Sequence, residues 1–178
     1  MNLKNTEKSL LFENRLCYDT GEKTISQVKE WGDMSVFSVA NYILKKAGPM
    51  TTMKLQKLCF YAQAWSLAWD EQPLFDEDFQ AWANGPVCPS LFDTHRGQFY
   101  VTSDYCEQVR NSENNFTDEQ KETIDKVLEY YGDKSPQWLS NLTHSELPWI
   151  YARGNTPVGA QCREIITKES MQQYYGGL

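Results

Sequence analysis

Apolar residues recur at helical spacing along much of the chain beyond residue 34. Ser35 is a suitable cap for a first helix, whose apolar positions recur every three or four residues until Gly48 ends it. Thr51 or Thr52 starts a second helix, and Pro73 ends it. We expect one stripe of this second helix to lie in the core, formed by Leu55, Leu58, Ala62, Trp65 and Trp69.

A short β-prone region follows these two helices. Residues 79–83 alternate between apolar and polar side chains, which predicts a strand. Residues 84–87 predict a tight turn, and Pro89 begins a helix that runs through Arg96. Residues 98–101 predict a second strand, which we expect to pair with the first as a small ribbon.

Four more helices are predicted in the C-terminal half of the chain. Thr117–Gln120 is a capping box, Ser135 precedes a proline at the first helical position, and Thr143–Glu146 is a second capping box. Thr167 caps a last helix that runs to Tyr175. The predicted fold class is mainly α (α+β), a compact helical domain with a small two- or three-stranded β-ribbon.

The chain divides near residue 34 into two parts of different character. Residues 1–33 are mostly polar and lack a sustained period, with a turn signal at Asp19–Glu22. We expect an N-terminal arm over 1–33 that is a hairpin or is partly disordered. The predicted globular domain spans residues 34–178.

Composition narrows the possible functions. The 178 residues carry a net charge of -7, and 13% of them are aromatic. Residues 70–79 hold five acids without a basic residue, and 104–133 hold nine acids against three basic residues. This balance argues against a nucleic-acid partner, because the phosphate backbone attracts basic surfaces. Acidic surfaces instead suit a basic protein partner.

The location of the protein follows from its apolar runs and its cysteines. No apolar run approaches the roughly 20 residues of a membrane span, and the start of the chain lacks the pattern of a secretory leader. The five cysteines form no CxxC pair. We therefore expect a reduced cytoplasmic protein with no membrane partner.

Residues with catalytic potential do not combine into a recognisable active site. Cys88 lies near a predicted helix start that would favour a thiolate, with His95 seven residues on, and Asp76 and Asp78 could act as paired acids. Metal motifs and phosphate-binding loops are missing from the sequence. We predict no enzyme, no catalytic residues, no cofactor and no metal, with a small Cys/His enzyme as an alternative.

Aromatic and cationic residues near turns and helix ends are better candidates for binding another protein. Tryptophan and arginine are over-represented at the energetic centres of protein interfaces. The predicted partner-binding residues are Trp82, Asn84, His95, Arg96, Trp149 and Arg153.

Several segments in a fixed order resemble one known family, the Panacea antitoxin domain, which includes SocA-like and GepA-like phage-associated proteins. The resemblance extends over roughly residues 35–175 and does not include 1–33. The segments that carry it are VANYIL at 39–44, KLQKLCFYAQAW at 54–65, PLFDED at 73–78, AWANGPVCP at 81–89, THSELPW at 143–149 and AR at 152–153.

This resemblance implies a mostly helical domain without enzymatic activity, in a toxin–antitoxin system of bacteria or their phages. Family members neutralise unrelated toxins by direct binding, and a SocA-like member also presents its toxin to a protease. The implied partners are a cognate protein toxin and, for an adaptor, a AAA+ protease. A DNA-binding autoregulator is an alternative, although the acidic balance and the lack of a distinct helix-turn-helix argue against it. The oligomeric state stays open.

Overall fold

Helix α2, Thr52–Trp69, is surrounded by the other elements of the fold. The computed structural model describes residues 34–112 and 115–178, so the predicted arm 1–33 lies outside the described residues. The elements of the described part, in chain order, are α1 Val36–Ala47, β1 Met50–Thr51, α2 Thr52–Trp69, β2 Phe79–Trp82, β3 Gly85–Val87, α3 Pro89–His95, β4 Tyr100–Val101, α4 Glu107–Arg110, α5 Asp118–Tyr131, α6 Pro136–His144, α7 Leu147–Arg153, β5 Ile165–Ile166 and α8 Lys168–Gly176. The prediction of a mainly helical fold with a small β component is confirmed.

Burial on every side sets α2 apart from an ordinary surface helix. The ten consecutive residues Leu55–Ala64 are all buried, and at 3.6 residues per turn they point in every direction. Helices α8, α5 and α1 pack against it from different sides. The prediction of a single core stripe is therefore too narrow, and its last two members, Trp65 and Trp69, are only half-buried.

Polar side chains on α2 connect it to distant segments of the chain. The Gln63 side chain accepts a hydrogen bond from the backbone N–H of Leu74 and donates one to the carbonyl of Phe75, both at 2.8 Å. Lys54 Nζ donates to the carbonyl of Gly132 at 2.6 Å. Gln63 is buried and needs these partners, so its bonds fix the loop after α2, while the Lys54 bond connects α2 to the end of α5.

Helix starts follow the local sequence closely. The capping box at α5 is complete: Gln120 N donates to Thr117 Oγ1 at 3.3 Å, and Thr117 N donates to Gln120 Oε1 at 3.0 Å. Ser135 and Thr167 cap α6 and α8 through their hydroxyl groups, as predicted. Ser35 precedes α1 as predicted, but its side chain makes no capping bond.

The strands pair differently from the predicted ribbon. Strand β2 pairs with β3 and with β5, whereas β4, from the predicted strand 98–101, pairs with β1. The predicted turn over 84–87 is also wrong, because the chain turns at Ala83-Asn84 and then forms β3. Pro86 suggested a turn, but β3 lies at a sheet edge, where the missing N–H of proline is tolerated.

The second predicted capping box does not form. Helix α6 continues through His144, so Thr143 lies inside it and its hydroxyl donates to the carbonyl of Ser140 at 2.8 Å. Glu146 precedes α7, but its carboxylate accepts hydrogen bonds from the hydroxyls of Tyr61 at 3.0 Å and Tyr175 at 2.8 Å. Tertiary contacts from α2 and α8 therefore replace the local cap.

The Glu146 carboxyl should make stability depend on pH. Burial raises the pKa of Glu146 to about 7, although the hydrogen bonds from Tyr175 and Tyr61 oppose the shift. A carboxyl whose pKa is raised by folding stabilises the fold most at low pH, and this contribution is lost as the pH rises from about 4.5 to about 7. In Glu146→Gln this loss should be absent. The free energy of unfolding of the variant, relative to wild type, should therefore rise by at most about 1.4 kcal/mol per pH unit across that window.

Urea unfolding followed by tryptophan fluorescence would measure this difference at several pH values. Glu129→Gln makes the same change at an exposed position of α5 and serves as the control. A constant stability difference between wild type and Glu146→Gln across the window would contradict the prediction.

Candidate partner-binding cleft

A cleft of about 390 Å³ lies between the first turns of α2, the β2–β3 hairpin and α3. Gly159 and Cys162, from the chain between α7 and β5, close another side. Three predicted partner-binding residues line it together: Trp82, Asn84 and His95. Its volume falls within the range of ordinary ligand pockets, so we treat it as the candidate functional site.

One wall of the cleft is aromatic and its rim is polar. The ring of Trp82 meets that of Phe92 edge to face, with centroids 4.8 Å apart, and its indole N–H donates to Gln80 Oε1 at 2.9 Å. Asn84 is exposed at the tip of the hairpin. The carbonyl of Asn84 accepts a hydrogen bond from Ser140 Oγ at 3.0 Å, which anchors the tip to α6.

Gln56 holds the two sides of the cleft together. Its Oε1 accepts a hydrogen bond from the backbone N–H of Cys88 at 2.8 Å, and its Nε2 lies 3.0 Å from Nε2 of His95. Burial lowers the pKa of His95. The neutral imidazole can therefore accept from the Gln56 amide, which orients its ring.

Lys57 is a buried amine beside the cleft. Its side chain is 1% exposed, and Nζ donates to the carbonyl of Pro86 at 3.1 Å. Burial lowers the pKa of Lys57 to about 7. Gly85 makes room for this side chain: a Cβ there would lie 2.6 Å from Lys57 Cε and 2.7 Å from Thr143 Oγ1, and its φ of +98° also favours glycine.

Trp149 and Arg153 lie on α7 and contact strand β2. The indole N–H of Trp149 donates to the carbonyl of Trp82 at 3.0 Å. The guanidinium of Arg153 donates to the carbonyls of Ala81 at 3.0 Å and Pro157 at 2.8 Å. These bonds position the strand and the loop after α7, while a direct role in partner binding remains a prediction for both residues.

Arg96 lies outside the residues that line the cleft. Its side chain is exposed, pairs with Asp93 one turn earlier and lies over the ring of Phe92, 5.5 Å from its centroid. It is accessible to a partner at the end of α3, and its binding role also remains a prediction.

Sequence reasoning missed Gln56 and Lys57. A signal for them existed, because the four consecutive residues Leu58–Tyr61 in the middle of α2 are apolar or aromatic and together cover every face of the helix. A helix that is apolar all round is a buried helix, and polar residues in it are then buried as well.

The alternative Cys/His enzyme is not supported by the arrangement of its residues. Sγ of Cys88 lies 3.2 Å from Ser90 Oγ, while the His95 ring contacts Gln56. Burial raises the pKa of the Cys88 thiol, so the expectation of a favoured thiolate at the start of α3 is wrong.

Asp76 and Asp78, which could have acted as paired acids, both contact Lys168. Asp78 pairs with Lys168 at 3.0 Å, and Lys168 donates to the carbonyl of Asp76 at 2.7 Å. Over residues 34–112 and 115–178, no group of three or more His, Cys, Asp or Glu side chains could hold a metal ion.

The chain belongs to the family described as antitoxin SocA-like, Panacea domain. The match extends over residues 55–150, more than half of the chain, and includes Gln56, Lys57 and the β2–β3 hairpin. The family resemblance of the sequence motifs is thereby confirmed. Comparisons with curated proteins and with solved structures find no match. Each helix in the described residues is too short or too polar to cross a membrane.

The buried amine of Lys57 should destabilise the fold at neutral pH and below. A lysine whose pKa is lowered by folding binds fewer protons in the native state, so its contribution to stability improves as the pH rises from about 7 to 10.5. In Lys57→Met the charge is absent. The free energy of unfolding of Lys57→Met, relative to wild type, should be highest at pH 7 and below. It should fall by at most about 1.4 kcal/mol per pH unit above pH 7.

Urea unfolding at pH values from neutral to alkaline would test this. Lys45→Met makes the same change at an exposed position of α1 and is the matched control. The prediction fails if the difference in unfolding free energy between Lys57→Met and wild type is the same at every pH tested.

Proposed function

We propose that this chain is an antitoxin that neutralises a cognate protein toxin by binding it directly in the cytoplasm. The observation that carries the proposal is the family match over residues 55–150. The four cysteines in the described part, Cys59, Cys88, Cys106 and Cys162, are free thiols, which is compatible with a reducing compartment.

Exposed apolar side chains supply a surface that such a toxin could cover. Leu147, Ile150 and Tyr151 lie three and four residues apart on α7 and are exposed, Tyr151 by 69%. Phe99 and Tyr100, before and in β4, are exposed by 79% and 57%. Large exposed aromatic and aliphatic side chains are typical of protein interfaces.

Acidic residues supply a second feature that supports a protein partner. The acidic segments 70–79 and 104–133 meet where Thr123 Oγ1 of α5 donates to Asp70 Oδ2 at the end of α2, at 2.8 Å. A negative surface of this kind would steer a basic toxin toward the chain.

The proposal is tested by co-expressing the chain with the product of its neighbouring gene. We expect that product alone to arrest growth, and the chain to restore growth and to co-purify with it. In the double variant Glu122→Lys/Glu129→Lys on α5, binding to a basic toxin should weaken. The double variant Glu164→Lys/Glu169→Lys changes the net charge equally away from α5 and should bind like wild type. Growth arrest that the wild-type chain does not relieve would contradict the proposal.

The half-life of the toxin in the same cells distinguishes two modes of neutralisation. A stoichiometric inhibitor leaves the half-life unchanged or extends it. A protease adaptor, which hands the toxin to a AAA+ protease, shortens it, and this shortening should require the protease.

A further inference from the structure

We infer that the cleft beside Lys57 receives an acidic side chain of the toxin, whose carboxylate pairs with Lys57 Nζ. This inference rests on the proposed function. It adds the site where the toxin contacts the chain and the type of interaction made there. It depends on the charge of the cleft, the unused donors of Lys57 and the shape of the walls.

The charge of the cleft is opposite to that of the chain. Among the residues of the described part that line the cleft, none is an aspartate or a glutamate. The single lysine among these described residues is Lys57, and there is no arginine. The chain as a whole has a net charge of -7. A single amine that can take up a proton, in a cleft without acids, is complementary to one carboxylate, whereas a polyanion such as nucleic acid would be repelled by the surrounding surface.

Lys57 is poorly satisfied by the chain itself. An ammonium group has three donors, and the described residues provide it with one acceptor, the carbonyl of Pro86 at 3.1 Å. Among residues 34–112 and 115–178, no carboxylate lies within ion-pair distance of Nζ. The charged form of Lys57 is therefore poorly stabilised in the free chain, and a carboxylate that enters from the cleft would stabilise it through a charged hydrogen bond in a site of low polarity.

The walls of the cleft fit a side chain that is apolar along its length and charged at its end. Trp82, Phe92, Met53 and Val87 provide apolar contact, and Asn84 provides an amide at the rim. A volume of about 390 Å³ accommodates a short segment of a partner rather than a domain. A partner segment that consists of an aspartate or glutamate and its immediate neighbours can contact the apolar walls, present a charged end and fit this volume.

Proton uptake during binding distinguishes this contact from a merely structural role of Lys57. At pH 8 the amine of free Lys57 is mostly neutral, because burial lowers its pKa to about 7, and pairing with a carboxylate would return a proton to it. In the described part of the chain, the other titratable groups near Lys57 are His95 of α3, His144 of α6 and Cys88 after β3. Burial, and then the charge of Lys57, lowers the pKa of His144.

The experiment is isothermal titration calorimetry of the full chain with the neighbouring gene's product at pH 8, in phosphate and in Tris buffer. Wild type should bind with net uptake of about 0.5–1 proton. Lys57→Met should bind about 10- to 100-fold more weakly and without that uptake. His144→Gln should retain the uptake, which assigns the proton to Lys57.

Changes at Asn84 test the same contact without altering a buried residue. Asn84→Asp places a negative charge at the exposed rim and should bind about two- to fivefold more weakly than Asn84→Lys, which places a positive charge at the same position. If wild type and Lys57→Met bind with the same affinity and the same proton uptake, the inference is overturned while the proposed function stands. If wild type does not bind the product at all, both are overturned.

Discussion

The burial of polar side chains on a helix enclosed from every side is the constraint on which this fold depends. Gln56, Tyr61 and Gln63 of α2 must each find a partner away from water. Gln56 bonds to Cys88, Tyr61 to Glu146 and Gln63 to the Leu74-Phe75 segment, and all of these partners are buried. Apolar packing is non-directional, whereas these bonds have defined partners and so specify how α2 is oriented about its axis.

The same constraint builds the candidate site. Gln56 positions the start of α3, and Lys57 in the next position meets the edge strand β3 through Pro86. The cleft therefore lies where two polar residues of a core helix approach the surface. Two buried ionisable groups make an informative contrast here: Glu146 accepts bonds from two tyrosines, while Lys57 has one carbonyl. The less satisfied of the two lies beside the cleft, as expected where a ligand completes the pairing.

Local chemistry was predictable from the sequence, and long-range pairing was not. The capping box at Thr117 and the proline after Ser135 act within one turn, so the pattern alone identifies those helix starts. The same pattern at Thr143 misled, because Tyr61 and Tyr175 compete for Glu146 from other helices. The partner of β2 depends on which segments the core brings together, which no local spacing reports.

The candidate site shows the same difference between features that are predictable locally and features that depend on the whole fold. Trp82, Asn84 and His95 were identified because they flank turns and helix ends, and the fold does bring them to one cleft. Lys57 was missed, because only one stripe of α2 was expected in the core and a lysine outside that stripe is ordinarily solvated. Family membership then supplies what neither geometry nor spacing could, the biological setting of an antitoxin.

A structure of the full chain in complex with the neighbouring gene's product would test the central claim most directly. We expect an aspartate or glutamate of that protein in the cleft, with a carboxylate oxygen about 2.7–2.9 Å from Lys57 Nζ. A complex in which the toxin covers another surface and leaves Lys57 bonded to Pro86 alone would contradict it.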